Sequence, residues 1–126
     1  MPQATDLMGV GMSPYPAEQL GNSASTLVCA GTSSQANAAK VLSKNVELTA
    51  AGSTANGALL QSTALIGSPH FFFCSTSTSA IVYPPSGDYM NGSQNAGVTV
   101  AQNKGVIIWK YKVASSAGYW ASVTTA

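Results

Sequence analysis

Residues 106–113 have the sequence VIIWKYKV, and this stretch predicts the strongest β-strand of the chain. Val, Ile, Trp and Tyr are residues that fit a pleated, half-buried strand surface. Because successive side chains of a strand point to opposite faces, Trp109 and Tyr111 are expected to face away from Lys110 and Lys112. Turn-forming residues flank the stretch on both sides, so it is expected to pair with neighbouring strands.

Other strand-like segments occur along the chain at regular spacing. The run at 70–75, HFFFCS, suits a buried strand, and a hairpin is expected over 46–63 around Asn56-Gly57. Seven or eight short strands predict a mainly β domain, either an antiparallel sandwich, a jelly-roll-like fold or a barrel. The remaining predicted strands are 27–30, 58–63, 80–83, 97–101 and 119–125.

One short helix is predicted at about residues 33–43. Thr32 or Ser33 can cap its N-terminus, and Lys40 and Lys44 lie near its C-terminal end, where the helix dipole favours cations. The single mostly-β domain is therefore expected to span residues 26–126, with this helix inside it.

Residues 1–25 are predicted to form an extended N-terminal arm. The segment contains three prolines and shows neither helical nor strand periodicity. Its apolar side chains have no evident core of their own, so the arm is expected to dock on another surface; a disordered tail is the alternative. The expected interface residues of the arm are Leu7, Met8, Val10, Met12 and Tyr15.

The composition disfavours several classes of partner. Only 7% of the 126 residues are charged, the formal net charge is +1, and the chain has no Arg. It therefore lacks both the positive field and the bidentate side chain that nucleic-acid binding normally uses. No apolar run reaches the roughly 20 residues of a membrane span. The abundance of Ser, Thr, Ala and Gly suits close self-association, although strand and turn propensity explains it equally well.

No pattern for catalysis, metal binding or a cofactor is found. The four carboxylates form no cluster, and no nucleophile or phosphate-loop motif occurs, so no catalytic residue is assigned and the chain is not expected to be an enzyme. Cys29 and Cys74 lack metal-site spacing and are expected to be buried, reduced thiols. His70, the only histidine, is expected to have a structural role.

The aromatic residues suggest that a second surface must be covered. Phe71, Phe72 and Phe73 are consecutive in one predicted strand, so they cannot all face a single core. If Phe71 and Phe73 fill the core, Phe72 needs another cover, and the same argument applies to Trp109 and Tyr111. These five residues are therefore assigned to the core or to a subunit interface; cover of both faces within one domain is the alternative.

The C-terminal part of the chain resembles a class of small phage and prophage structural proteins. The segment 81–111, IVYPPSGDYMNGSQNAGVTVAQNKGVIIWKY, followed by YWASV at 119–123, is similar to their pattern V-[YF]-P-P-x-G, I-N-G, a valine strand, K-G-x-x-x-[FW] and W-x-x-[VL]. The segments 4–9 and 31–36 are similar to that class as well, whereas Asp88-Tyr89-Met90 departs from its usual residues.

The resemblance implies a capsid cement, or head decoration, protein. Members of such families are commonly trimers on the outer surface of the capsid, assembled in the host cytoplasm. The implied partners are other copies of the chain, as a homotrimer, and the major capsid protein.

Related β modules also occur in phage head fibres and tail appendages. The alternative function is therefore a carbohydrate- or receptor-binding module, for which Tyr83, Tyr89, Trp109 and Tyr119 are the candidate residues.

Overall fold

The computed structural model describes residues 24–31, 34–50 and 56–125. Within these ranges every regular element is a β-strand, which confirms the mainly β prediction, and no helix long and apolar enough to cross a membrane occurs there. The strands are β1 (Ala24–Cys29), β2 (Ala39–Lys40), β3 (Asn45–Ala50), β4 (Gly57–Leu59), β5 (His70–Cys74), β6 (Ala80–Tyr83), β7 (Tyr89–Met90), β8 (Ser93–Gln94), β9 (Val98–Val100), β10 (Gly105–Ala114) and β11 (Ala117–Thr124).

The strands form two sheets, of seven and four strands. Their orders are β1-β3-β5-β10-β11-β7-β8 and β2-β4-β6-β9. The first six strands alternate between the two sheets, so that β1, β3 and β5 are parallel neighbours in one sheet and β2, β4 and β6 are parallel neighbours in the other. The prediction of an antiparallel fold is therefore wrong for this half of the domain.

The later strands are mostly antiparallel. β10 is central to the larger sheet, where it pairs in antiparallel fashion with β5 on one side and β11 on the other. A register shift interrupts the β10–β11 pairing between Lys110 and Lys112, as in a β-bulge. The strand predicted at 106–113 is confirmed. Its pairing with β11 is the longest strand pairing among the described residues.

The helix predicted at 33–43 is wrong for the described residues of that segment. Ala39–Lys40 is a strand that pairs with β4, and the Val41 N–H donates to the carbonyl of Leu59 at 2.8 Å. Ser and Asn are weak helix formers, so pairing with the adjacent strand satisfies this backbone better than a short helix with a weak apolar side.

The hairpin predicted over 46–63 is also wrong. β3 belongs to the seven-stranded sheet and β4 to the four-stranded sheet, so Asn56-Gly57 lies on a crossing between sheets. Gly57 exchanges two backbone hydrogen bonds with Ala30, at 2.9 and 3.0 Å, and a Cβ on Gly57 would lie 2.8 Å from the Ala30 carbonyl oxygen. Glycine is required here by this close approach of two backbones.

Side chains from both sheets form one apolar core. Leu48, Ile108 and Trp120 from the larger sheet and Val82 and Val100 from the smaller one are fully buried in the same cluster. Each such large apolar side chain stabilises the fold by about 1.5–3 kcal/mol relative to an exposed one. The core therefore lies between the sheets, and the opposite side of the larger sheet is left outside it.

The segment that carries the phage resemblance supplies turns. β6 ends at Tyr83 directly before Pro84-Pro85, and Gly87 and Gly92 have φ angles of 91° and 88°. Such angles are open to glycine and strained for most other residues. These residues therefore end a strand and form turns.

The N-terminal segment is described only from Ala24. The arm residues Leu7, Met8, Val10, Met12 and Tyr15 lie outside the described residues. β1 begins at Ala24, within the segment that the sequence assigned to the arm.

Candidate functional site

The two faces of β5 separate the three phenylalanines. His70, Phe72 and Cys74 face the core, whereas Phe71 and Phe73 face outwards. Phe72 is 3% exposed, while Phe71 and Phe73 are 43% and 47% exposed. The alternation expected from the sequence is thus present, with one phenylalanine inside and two outside.

Neighbouring strands extend this outward surface. Phe71 is paired with Ile107 on β10, and Ile107 with Val123 on β11, so their side chains lie in one row across the sheet. Ile107 is 38% exposed and Val123 58% exposed. We call Phe71, Phe73, Ile107 and Val123 the apolar patch. Sequence reasoning missed Val123, although its odd spacing from Trp120 placed it on the opposite face of the same strand.

A groove crosses the apolar patch at Gly105. Gly105 is paired with Phe73, and its N–H donates to the Thr125 hydroxyl at 2.9 Å. Gly105 lines a depression of about 250 Å³. Its lining residues are Phe71, Phe72, Gly105, Val106, Ile107, Val123 and Thr125.

A cluster of tyrosines lies farther along the larger sheet. The rings of Tyr89 and Tyr119 stack at 4.7 Å with 2° between their planes, and the Lys112 Nζ lies 4.6 Å from the Tyr119 ring centroid. Tyr111 is tilted against Tyr119 and also lies near Lys112. The prediction that Lys112 faces away from Tyr111 is wrong, because the bulge changes the alternation at this point.

Lys110 on β10 and Asp88, which directly precedes β7, have buried side chains. The Lys110 ammonium donates to the carbonyl of Ser62 at 2.9 Å and lies 5.2 Å from the Trp120 ring centroid. The Asp88 carboxylate accepts from the Gly118 N–H at 2.9 Å and from the Trp120 indole N–H at 3.0 Å. These contacts satisfy polar groups inside the fold, which indicates a structural role.

The four aromatic candidates for a carbohydrate site do not form one platform. Tyr83 is buried, and a Cβ at Gly97 would lie 2.9 Å from its ring. Tyr89 and Tyr119 cover each other's ring faces, and Trp109 lies on β10, the next strand. A sugar that stacks on an aromatic side chain needs a free ring face, and Tyr89 and Tyr119 each use one on the other.

A second depression, of about 300 Å³, lies beside the edge of the smaller sheet. Val41, Leu42, Lys44, Gln61 and His70 are among its lining residues. His70 stacks on Phe72 at 6.4 Å and meets the edge of Trp120 at 6.0 Å. Among the described residues, no three His, Cys, Asp or Glu side chains are grouped so that they could hold a metal ion.

Both cysteines are free and buried, which confirms the prediction of reduced thiols. Burial raises the pKa of the Cys29 thiol to about 11, and the neighbouring Cys74 contributes to the shift. Since the thiolate is the reactive form, this thiol is expected to be inert near neutral pH.

The raised pKa of Cys29 predicts a loss of stability in alkali. In the unfolded chain this thiol ionises near pH 9, whereas in the fold it ionises near pH 11, so the folded state retains the proton longer. The free energy of unfolding is therefore expected to fall between pH 9 and 11, by about 2–3 kcal/mol from this group. Burial also raises the pKa of Tyr83, which acts in the same direction.

Urea unfolding of the wild type and of Cys29→Ala at several pH values tests this prediction. The variant is expected to start less stable and to show a shallower decline above pH 9. Parallel declines in the two proteins would contradict the assignment to Cys29.

No family model matches the sequence, and no curated protein or solved structure matches the chain.

Proposed function

We propose that this chain is a bacteriophage capsid cement protein. In this proposal it assembles as a homotrimer with a sandwich-like body, and it binds the major capsid protein on the outer surface of the virion. The observation that carries the proposal is the apolar patch, a surface that the described residues leave exposed on a chain to which the sequence assigns no chemistry. The resemblance of residues 81–123 to phage structural proteins supplies the biological setting.

Bridging is the physical basis of the proposed stabilisation. A trimer that contacts several capsid subunits holds them together through three binding sites, one on each of its chains. Once one of these sites is bound, the other two bind at a high effective concentration, so three weak contacts give strong overall attachment. No catalytic group and no cofactor are required for this function.

The proposed shell contact is the N-terminal arm, through Leu7, Met8, Val10, Met12 and Tyr15. Deletion of residues 1–22 leaves β1 intact, because that strand begins at Ala24. The deletion is expected to weaken binding to undecorated capsids by at least about 100-fold, since all three capsid-binding sites of each trimer are lost together. Co-sedimentation of purified protein with capsids that lack it measures this.

A second, full-length variant has the five arm residues replaced by Ser, and it tests whether the apolar side chains of the arm cause the loss of binding. It retains the length and the backbone of the arm and removes only its apolar contacts, so it is expected to behave like the deletion. Full binding by the truncated protein would exclude the arm as the shell contact. Failure of the wild type to bind any capsid, together with specific binding to glycans, would favour the receptor-binding alternative.

A further inference from the structure

We infer that the apolar patch is the surface through which copies of this chain bind one another. This inference rests on the self-association in the proposed function and adds the residues that mediate it. The occupant of the patch is therefore a second copy of the same chain, and the arm and the capsid are left for other contacts.

The extent of the patch fits the core of a subunit interface. A fully exposed phenylalanine offers roughly 150–250 Å² and an Ile or Val somewhat less, so the four side chains of the patch, which are 38–58% exposed, present on the order of 300–400 Å² of apolar surface. This is close to half of the about 800 Å² that each partner contributes to a standard interface. The partly exposed Trp109 and Tyr111 extend the surface along β10, and a polar rim normally supplies the remainder.

The shape of the patch suits a head-to-tail contact between copies, which a ring of three requires. The patch contains two half-exposed rings, that of Phe71, which lines the depression at Gly105, and that of Phe73, which is paired with Gly105. A copy of the chain therefore offers both an apolar group to fill the depression and a depression to receive one. Filling it removes the exposed rings from water, which is the main source of association energy.

Low charge favours a copy as the occupant. With a net charge of +1 and 7% charged residues, copies repel one another only weakly. The four patch side chains are uncharged, and the exposed Glu47, which is paired with Phe73, lies at the border of the patch, where its carboxylate can stay in contact with water when two copies meet.

Light scattering of the full-length protein tests the inference. The wild type is expected to have three times the mass of 12.8 kDa, in line with the homotrimer proposed above. Val123→Glu places a charge within the apolar patch, next to Ile107, and is expected to weaken association by at least about 100-fold, which yields monomers. Leu42→Glu is the matched control, because Leu42 is 87% exposed and lies outside the patch; its mass is expected to equal that of the wild type.

Circular dichroism of both variants shows whether their folds are intact. A wild-type monomer, a Val123→Glu variant of wild-type mass, or equal dissociation of the two variants would each overturn the inference. Co-sedimentation with capsids separates this from the proposed function. An assembled wild type that does not bind capsids refutes the cement function and leaves the patch as interface, whereas a wild-type monomer that binds capsids does the reverse.

Discussion

Replacement of Phe72 with alanine is expected to lower the free energy of unfolding by about 3–5 kcal/mol, because it removes a buried ring and leaves a cavity between the sheets. Phe72 is 3% exposed and lies under the stacked His70 ring. The adjacent Phe73 is 47% exposed, so Phe73→Ala is expected to cost the isolated subunit less than about 1 kcal/mol. Urea unfolding of the two variants at a single low protein concentration gives this comparison.

Protein concentration distinguishes the roles of the two phenylalanines further. The loss caused by Phe72→Ala is expected to be the same at every concentration, since it arises within one subunit. The loss caused by Phe73→Ala is expected to grow with concentration, because only the assembled wild type gains from that contact. Equal losses in the two variants would show that the faces of β5 are assigned wrongly.

The faces of β5 show what the sequence could determine and what it could not. Alternation along the strand followed from strand geometry alone. The number of buried rings favours an orientation of the strand in which Phe71 and Phe73 face the core, because two phenylalanines are then buried instead of one. The fold buries Phe72 instead, with His70 stacked on it and in edge contact with Trp120. Only the neighbouring strands decide this, and a chain that leaves two phenylalanines outside is consistent with a partner that covers them.

The parallel half of the domain was not predictable from local patterns. Parallel neighbours in one sheet need a crossover connection, which is usually a helix. Here a strand of the other sheet serves as the crossover. In chain order, β2 comes between β1 and β3, and β4 comes between β3 and β5, but both belong to the smaller sheet. The same alternating segments are equally compatible with hairpins, so the turn at Asn56-Gly57 suggested the wrong pairing.

Strands with strong local signals were predicted well. The segments at 80–83 and 106–113 match β6 and the centre of β10, because β-branched and aromatic residues lie between clear turn residues in both. The bulge beside Lys110 was not predictable, since it depends on the register of β11. As a result the sequence did not reveal that Lys112 lies against Tyr119.

The carboxylate of Asp88 is expected to contribute strongly to stability, although the sequence marked it only as a departure from the phage pattern. It is 8% exposed and accepts hydrogen bonds from the Gly118 N–H and the Trp120 indole N–H, so it fastens the turn before β7 to β11. Asp88→Ala leaves two buried donors without acceptors. Because each of the two unsatisfied buried groups costs about 1–3 kcal/mol, the expected loss is about 2–6 kcal/mol.

Asp88→Asn is the more informative variant. The Asn amide has the shape of the carboxylate but only one acceptor oxygen, so its NH₂ group must face one of the two N–H donors. Its loss is expected to lie between those of the wild type and Asp88→Ala. Glu47→Gln, the same chemical change at an exposed strand position, is the matched control; because Glu47 is paired with Phe73 of the apolar patch, it is measured at a protein concentration low enough for monomers, where it is expected to change stability by less than about 0.5 kcal/mol.

A double-mutant cycle with Trp120→Phe isolates the bond to the indole. Trp120→Phe removes that donor, so the additional loss on adding Asp88→Ala is expected to be smaller than in the wild type by about 1–3 kcal/mol. Urea unfolding of the four proteins at one concentration gives this coupling energy. Simple additivity of the two losses would mean that Asp88 stabilises the fold through Gly118 alone, and that the buried side of β11 depends on packing of Trp120 more than on its hydrogen bond.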